Sequence, residues 1–172
     1  LEDAKSELKR ENIEFNEDIK VGIMVEIPSA AITADTIAKE ADFFSIGTND
    51  LCQYSLAVDR MNPKVSKLFQ PLHPGILKLI KHVIDASHRH GIFTGMCGGM
   101  AGSGEAAIIL LGLGLDEYSM SAASIPVIKS IIRNVSYEKA KEIASHALEL
   151  ETPEEVLEYS RSIMKQLNIE YI

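Results

Sequence analysis

Four short, almost uninterrupted apolar runs mark this chain: Val21–Val25, Phe43–Ile46, Ile92–Met96 and Tyr118–Met120. Each has the length of a strand, and continuous hydrophobicity without strict alternation predicts strands buried on both faces of a sheet. A segment with helical spacing follows every run: Ala30–Glu40, Leu51–Val58, Glu105–Leu111 and Ile125–Arg133, with a further helix over Gly75–His90 in the second unit. Strand and helix in alternation predict an α/β fold with a parallel sheet. Punctuation supports these limits. Gly91, after His88-Arg89-His90, and Gly112, after Leu110-Leu111, are expected to stop helices. Ser124 with Pro126 opens one helix. Thr152-Pro153-Glu154-Glu155 is a capping box that opens another, reaching about Leu167.

The predicted organisation is one domain over 1–172: a helix within 1–20, four βα units over 21–135, and two further helices over 136–172. Four units are too few for a closed eight-stranded barrel, which takes about 250 residues. A small open sheet and half of a barrel both remain open at this point. With 46% hydrophobic and 24% charged residues, the composition is that of an ordinary soluble globular protein. No apolar run reaches membrane-spanning length and no signal peptide is visible. Leu rather than Met at position 1 is read as a processed chain or a piece of a longer one.

The net charge of −8 is concentrated at the two ends, with seven acids against four bases in 1–20 and eight against four in 136–172. The central segment is nearly neutral. A nucleic-acid footprint would need a basic cluster, and none is present, so no nucleic-acid partner is expected. Cys52 and Cys97 lie in unlike contexts and form no disulfide framework, which points to a reducing, cytoplasmic setting.

Polar residues gather where the apolar runs end: Glu26 after the first, Asn49 and Asp50 after the second, Cys97 after the third, Ser121 after the fourth. In a parallel α/β sheet these positions share the C-terminal edge, where ligands bind. Glu26 is a carboxylate set in apolar Val-Glu-Ile-Pro and needs a cation or hydrogen-bond donors. Together with Asp50 it suits a hard cation such as Mg2+ or Mn2+. The alternative is that Glu26 pairs with a lysine or arginine while Asp50 caps a helix. Arg60 offers a planar fork for a phosphate or carboxylate, or else pairs with Asp59. Asn49 can give its amide to a ligand oxygen, cap the helix, or both. Cys97, in Met-Cys-Gly-Gly-Met-Ala-Gly, is either a proton donor at the edge or an inert buried thiol, whereas Cys52 is expected to serve packing. The five histidines fall on helix faces or helix ends and suggest no site.

The run Asp42 to Arg60, DFFSIGTNDLCQYSLAVDR, resembles the signature of the phosphoenolpyruvate-utilising enzymes. Its ending Leu-Ala-Val-Asp-Arg is similar to that of enzyme I of the bacterial phosphotransferase system, as are VGIMVEIPSA (21–30), LHPGILKLI (72–80) and MCGGMAG (96–102), in the same order. The resemblance spans about Val21 to Glu149. It implies the C-terminal half, about four βα units, of a (βα)8 TIM barrel of the phosphoenolpyruvate/pyruvate-binding type, plus terminal helices. It also implies that Glu26 and Asp50 ligate Mg2+, that Asn49, Asp50 and Arg60 meet phosphoenolpyruvate, and that Cys97 protonates the departing enolate. The phosphoryl group would go to a histidine on an N-terminal domain that also meets the phosphocarrier protein, and nothing in this chain resembles that domain.

Gly99 and Ser103 stand where the family usually has Glu and Asp, and Cys52 where it has a threonine. A second expectation is therefore a fold or oligomerisation module without turnover. Pyruvate phosphate dikinase and phosphoenolpyruvate synthase are disfavoured by Ala57-Val58-Asp59-Arg60. An open half barrel leaves two bare sheet edges and an uncovered face, so association of two copies as a homodimer is expected.

Overall fold

The computed structural model describes residues 1–169. Its centre is a parallel sheet of β1 (Gly22–Val25), β2 (Phe43–Gly47), β3 (Phe93–Cys97) and β4 (Glu117–Tyr118), in the spatial order of the sequence. The chain is thus an α/β protein. Helix α1 (Glu2–Arg10) precedes the sheet. Between strands run α2 (Pro28–Ile32), α3 (Ala34–Ile37), α4 (Thr48–Leu56), α5 (Pro74–Arg89) and α6 (Gly104–Leu113), followed by α7 (Ile125–Arg133), α8 (Tyr137–Glu149) and α9 (Pro153–Gln166). The last three residues of the predicted 136–172 segment lie outside the described part.

Register decides which side chains share a face. Gly22 pairs with Phe43 and Phe43 with Phe93, Met24 with Ser45 and Ser45 with Gly95, and Gly47 with Cys97. Side chains alternate between faces along a strand, so Val25, Phe44, Ile46, Thr94 and Met96 point the other way. Those five are all buried and, apart from Thr94, belong to the hydrophobic core under the helices.

The burial on both faces read from the apolar runs is therefore corrected, whereas an uncovered face is what an open half barrel is expected to leave. Met24 is 47% and Phe93 42% exposed, and Glu117 is exposed beside them. The apolar runs concealed this because the open face is itself apolar at Met24, Phe43 and Phe93. Phe43 and Phe93 stack, with ring centroids 5.1 Å apart and planes 5° from parallel. Gly22 leaves room for that pair, since a β-carbon there would come within 2.5 Å of the Phe43 ring.

Several predicted boundaries move for physical reasons. The helix expected over Ala30–Glu40 begins at Pro28 and breaks at Thr33, whose hydroxyl donates back to the Ser29 carbonyl (2.8 Å). The fourth strand is Glu117–Tyr118 rather than Tyr118–Met120, so Ser121 lies beyond it, its Oγ 2.9 Å from that of Ser124. Ser124 consequently makes no cap to α7. The capping box on α9 forms as expected.

Gly112 does not end a helix. That role falls to Gly114, with φ of +95°, while Gly112 lies inside α6 at its crossing with α8. A β-carbon at Gly112 would sit 1.9 Å from the Ala140 carbonyl oxygen. Gly112→Ala should therefore push α8 away and lower stability by about 1–3 kcal/mol or more, as overpacking does. Urea unfolding measures this, and an unchanged midpoint would show that the two helices separate freely.

Candidate functional site

The site is built from the last row of side chains on the open face. Continuing the register one residue past Val25 sets Glu26 level with Gly47, and Gly47 is level with Cys97. Adjacent strands lie about 4.8 Å apart, so Glu26 and Cys97 flank Gly47 roughly 10 Å from each other at their backbones. Gly47 is needed here for close approach. A β-carbon on it would meet Glu26 Oε2 at 2.6 Å and Glu26 Cβ at 2.9 Å. The missing side chain is what allows the Glu26 carboxylate to lie over β2.

Asn49 and Asp50 belong to the first turn of α4, beyond the strand end, and Gly47 rather than Asn49 is the N-cap. The capping alternative for Asn49 and Asp50 is thereby replaced. Asn49 Oδ1 instead accepts from the Gly99 N–H across the edge (3.2 Å). This fixes the amide, and its NH2 group has no partner among the described residues, so it can donate to a ligand oxygen. Thr48, nearly fully buried, donates its hydroxyl to the Cys97 carbonyl (3.1 Å). Thr48 and Asn49 together clamp the backbone on either side of Gly98, whose φ of +96° is the left-handed conformation that glycine adopts freely.

Cys97 is half-buried on the open face, where its thiol is 3.7 Å from both the Ser45 hydroxyl and the Ile46 carbonyl. Cys52 is fully buried, and burial pushes its thiol up to about 11. The packing role expected for Cys52 is what the structure shows.

Arg60 turns back over α4 instead of pairing with Asp59. Its Nη2 lies 3.7 Å from Asp50 Oδ1, with the two side chains 34% and 39% exposed. Screening by water keeps such a half-exposed pair weak, so either partner can exchange the other for a ligand. Asp59 is occupied locally, accepting from the Met61 N–H (2.9 Å). Glu26 has no ion pair among the described residues, so the alternative of a lysine or arginine partner is not realised. Two carboxylates, an amide, a guanidinium and a thiol are thus gathered around the C-terminal ends of β1, β2 and β3.

The sequence family described as "PEP-utilising enzyme, PEP-binding domain" matches residues 1–137. The chain belongs to that family. It is 56% identical over 156 residues to the phosphoenolpyruvate-protein phosphotransferase of Haemophilus influenzae, which covers 91% of this chain and 27% of the relative. To that of Buchnera aphidicola from Acyrthosiphon pisum it is 57% identical over 151 residues, 88% of this chain and 26% of the relative. For Listeria monocytogenes the figures are 55% over 158 residues, 92% and 28%. All three relatives carry the name of a transferase, and the chain spans only about a quarter of their length.

As a member of the phosphoenolpyruvate-binding family, the chain places its signature Asp42–Arg60 over β2, α4 and the loop after it. Two residues that contribute to the edge went unnoticed in the sequence. Ser45 is the one hydroxyl in the apolar run Phe43–Ile46 and has the same parity as Gly47, a signal readable in the sequence. Thr48 looked like part of a Gly-Thr-Asn-Asp turn, and only the pairing of β2 with β3 brings it to Cys97. Among the described residues no group of three or more His, Cys, Asp or Glu side chains is placed to hold a metal, and no helix is long and apolar enough to cross a membrane.

The two thiols should separate cleanly. At pH 8 a charged aromatic disulfide reagent should modify Cys97 in the native protein, and Cys52 only after denaturant is added. Absorbance of the released thiolate follows this, and Cys97→Ser should abolish the native phase. Fast labelling that survives Cys97→Ser would show Cys52 to be accessible.

Proposed function

We propose that the chain forms one wall of a phosphoenolpyruvate and Mg2+ site within a phosphoenolpyruvate-protein phosphotransferase. In this reading the four βα units are the C-terminal half of a (βα)8 TIM barrel. Strands in sequential order, with a helix-covered face and an open one bearing Met24, Phe93 and Glu117, are the features that support it. The observation carrying the functional reading is the convergence at one strand edge of Glu26, Asp50, Arg60 and Cys97 with the amide of Asn49.

The donor set fits the cation. Mg2+ takes one or two carboxylates and fills its remaining positions with water and phosphate oxygens, so it needs no cluster of three protein ligands. Glu26, left without an ion pair, and Asp50, only loosely held by Arg60, are the two carboxylates available. When bound there, Mg2+ would neutralise charge on the phosphate oxygens. Arg60 would present its fork to the same phosphate, and the Asn49 NH2 would donate to a substrate oxygen. Positioning and charge neutralisation are most of what phosphoryl transfer requires. The enolate left behind needs a proton on carbon. Cys97 stands at the edge to supply it, the S–H bond breaking as the C–H bond forms and pyruvate results.

The phosphoryl group would pass to a histidine on a domain outside this chain and on to a phosphocarrier protein for sugar uptake in the cytoplasm. Where the other half of that barrel does not cover the open sheet, a second copy of this chain would cover it as a homodimer partner.

Gly99 and Ser103 favour a second reading, a fold and oligomerisation module without turnover. Calorimetric titration with phosphoenolpyruvate, with and without Mg2+, separates the two. The expected result is Mg2+-dependent binding that Glu26→Gln and Asp50→Asn each weaken by at least about tenfold, or ~1.4 kcal/mol. Absence of binding, or binding indifferent to both substitutions, would leave the module.

A further inference from the structure

Gln53 belongs to the signature run, and among the described residues its side chain makes no hydrogen bond to Cys97, Glu26 or Asp50. Helix α4 carries Asn49 and Asp50 in its first turn and Gln53 one turn further on. The helix closes with Ala57 at φ +52° and ψ +43°, a left-handed conformation that costs a residue with a β-carbon about 1 kcal/mol. Around it the Val58 N–H donates to the Gln53 carbonyl (3.0 Å) and the Ala57 N–H to that of Tyr54 (3.4 Å), a Schellman closure with Val58 buried beneath it. Two residues later the Gln53 side chain takes hold of the loop again, as its Oε1 accepts from the Arg60 N–H (3.2 Å). One residue thus grips the returning loop twice, by its main chain at Val58 and by its side chain at Arg60. Strain in a left-handed non-glycine persists only where surrounding contacts hold it, and such positions gather at functional sites.

We infer that Gln53 is a positioning residue that sets Arg60 over Asp50, and thereby the anion-binding geometry of the edge. The inference rests on the proposed phosphoenolpyruvate reading. Its physical core is the geometry that brings the guanidinium to 3.7 Å from Asp50. Without the Gln53 acceptor the Arg60 backbone loses its tether, and a long, half-exposed side chain on a free loop has more conformations to give up on binding. Gln53→Glu keeps an acceptor oxygen at the same reach, whereas Gln53→Leu keeps the shape and removes it.

The test combines Mg2+-phosphoenolpyruvate titration of this chain with amide hydrogen exchange of Arg60. Gln53→Leu should weaken binding by roughly tenfold and Gln53→Glu by no more than about twofold, and in an Arg60→Ala background Gln53→Leu should add nothing. The Arg60 amide should exchange at least about tenfold faster in Gln53→Leu but not in Gln53→Glu, while the Leu51 amide stays unchanged. Wild-type affinity in Gln53→Leu, or an equal loss with and without Arg60, overturns the inference. If the unsubstituted chain binds no phosphoenolpyruvate, the functional reading fails for it. Arg60 exchange then decides the positioning claim alone, and unchanged exchange in Gln53→Leu overturns that claim.

Discussion

Everything at the candidate site depends on the register between β2 and its two neighbours. A shift of one residue would turn Phe44 and Ile46 onto the open face and drive Ser45 and Gly47 into the helix layer. The core forbids that exchange, because Phe44, Ile46, Val25 and Met96 are all fully buried against helices. Hydrophobic burial on one face therefore fixes, residue by residue, the polar row on the other. Glu26, Gly47 and Cys97 line up because their neighbours one step back have no other place to go.

Helix α4 converts that row into a three-dimensional site. It starts directly at the end of β2, so its first turn stands over the strand edge, with Thr48 and Asn49 reaching sideways to the backbone around Cys97. Its far end returns the chain so that Arg60 faces Asp50 of the first turn. A single short helix thus joins the Arg60 guanidinium to the thiol-bearing loop. The interactions used are individually modest, net about 0.5–1.5 kcal/mol for a hydrogen bond. Their effect lies in leaving the loops few alternatives, which is the kind of preorganisation that binding rewards.

Much of this is legible in the sequence alone. Each of the four apolar runs overlaps a strand, the fourth only at Tyr118, and the polar residues that end the first three mark the edge where the candidate site lies. What could not be read were constraints set by distant parts of the chain. Gly112 looked like a helix stop because its need for a missing side chain comes from Ala140 on another helix. The alternative that pairs Arg60 with Asp59, its neighbour in sequence, fails because Asp59 caps its own turn and the returning loop delivers the guanidinium to Asp50. The strand pattern alone concealed the open face, which only the half-barrel resemblance implied, since a strand that buries one face and stacks phenylalanines on the other has the same pattern as one buried on both.

The two departures from the family pattern differ in weight once their surroundings are seen. Ser103 is the N-cap of α6, its hydroxyl accepting from the Ala106 N–H, and Ser and Asp serve about equally well in that position. Replacing an acid there leaves the helix start intact. Gly99 is different. Its backbone φ is not in the left-handed region, and a β-carbon would meet only Asn49 Oδ1, at an ordinary 3.5 Å. The fold does not demand glycine at that place, and its exposed backbone already serves the edge by donating to Asn49. The two residues that favour a module without turnover thus reduce to one. What Gly99 removes is a negative charge beside Asn49 and Cys97, leaving the clamp that holds the thiol in place.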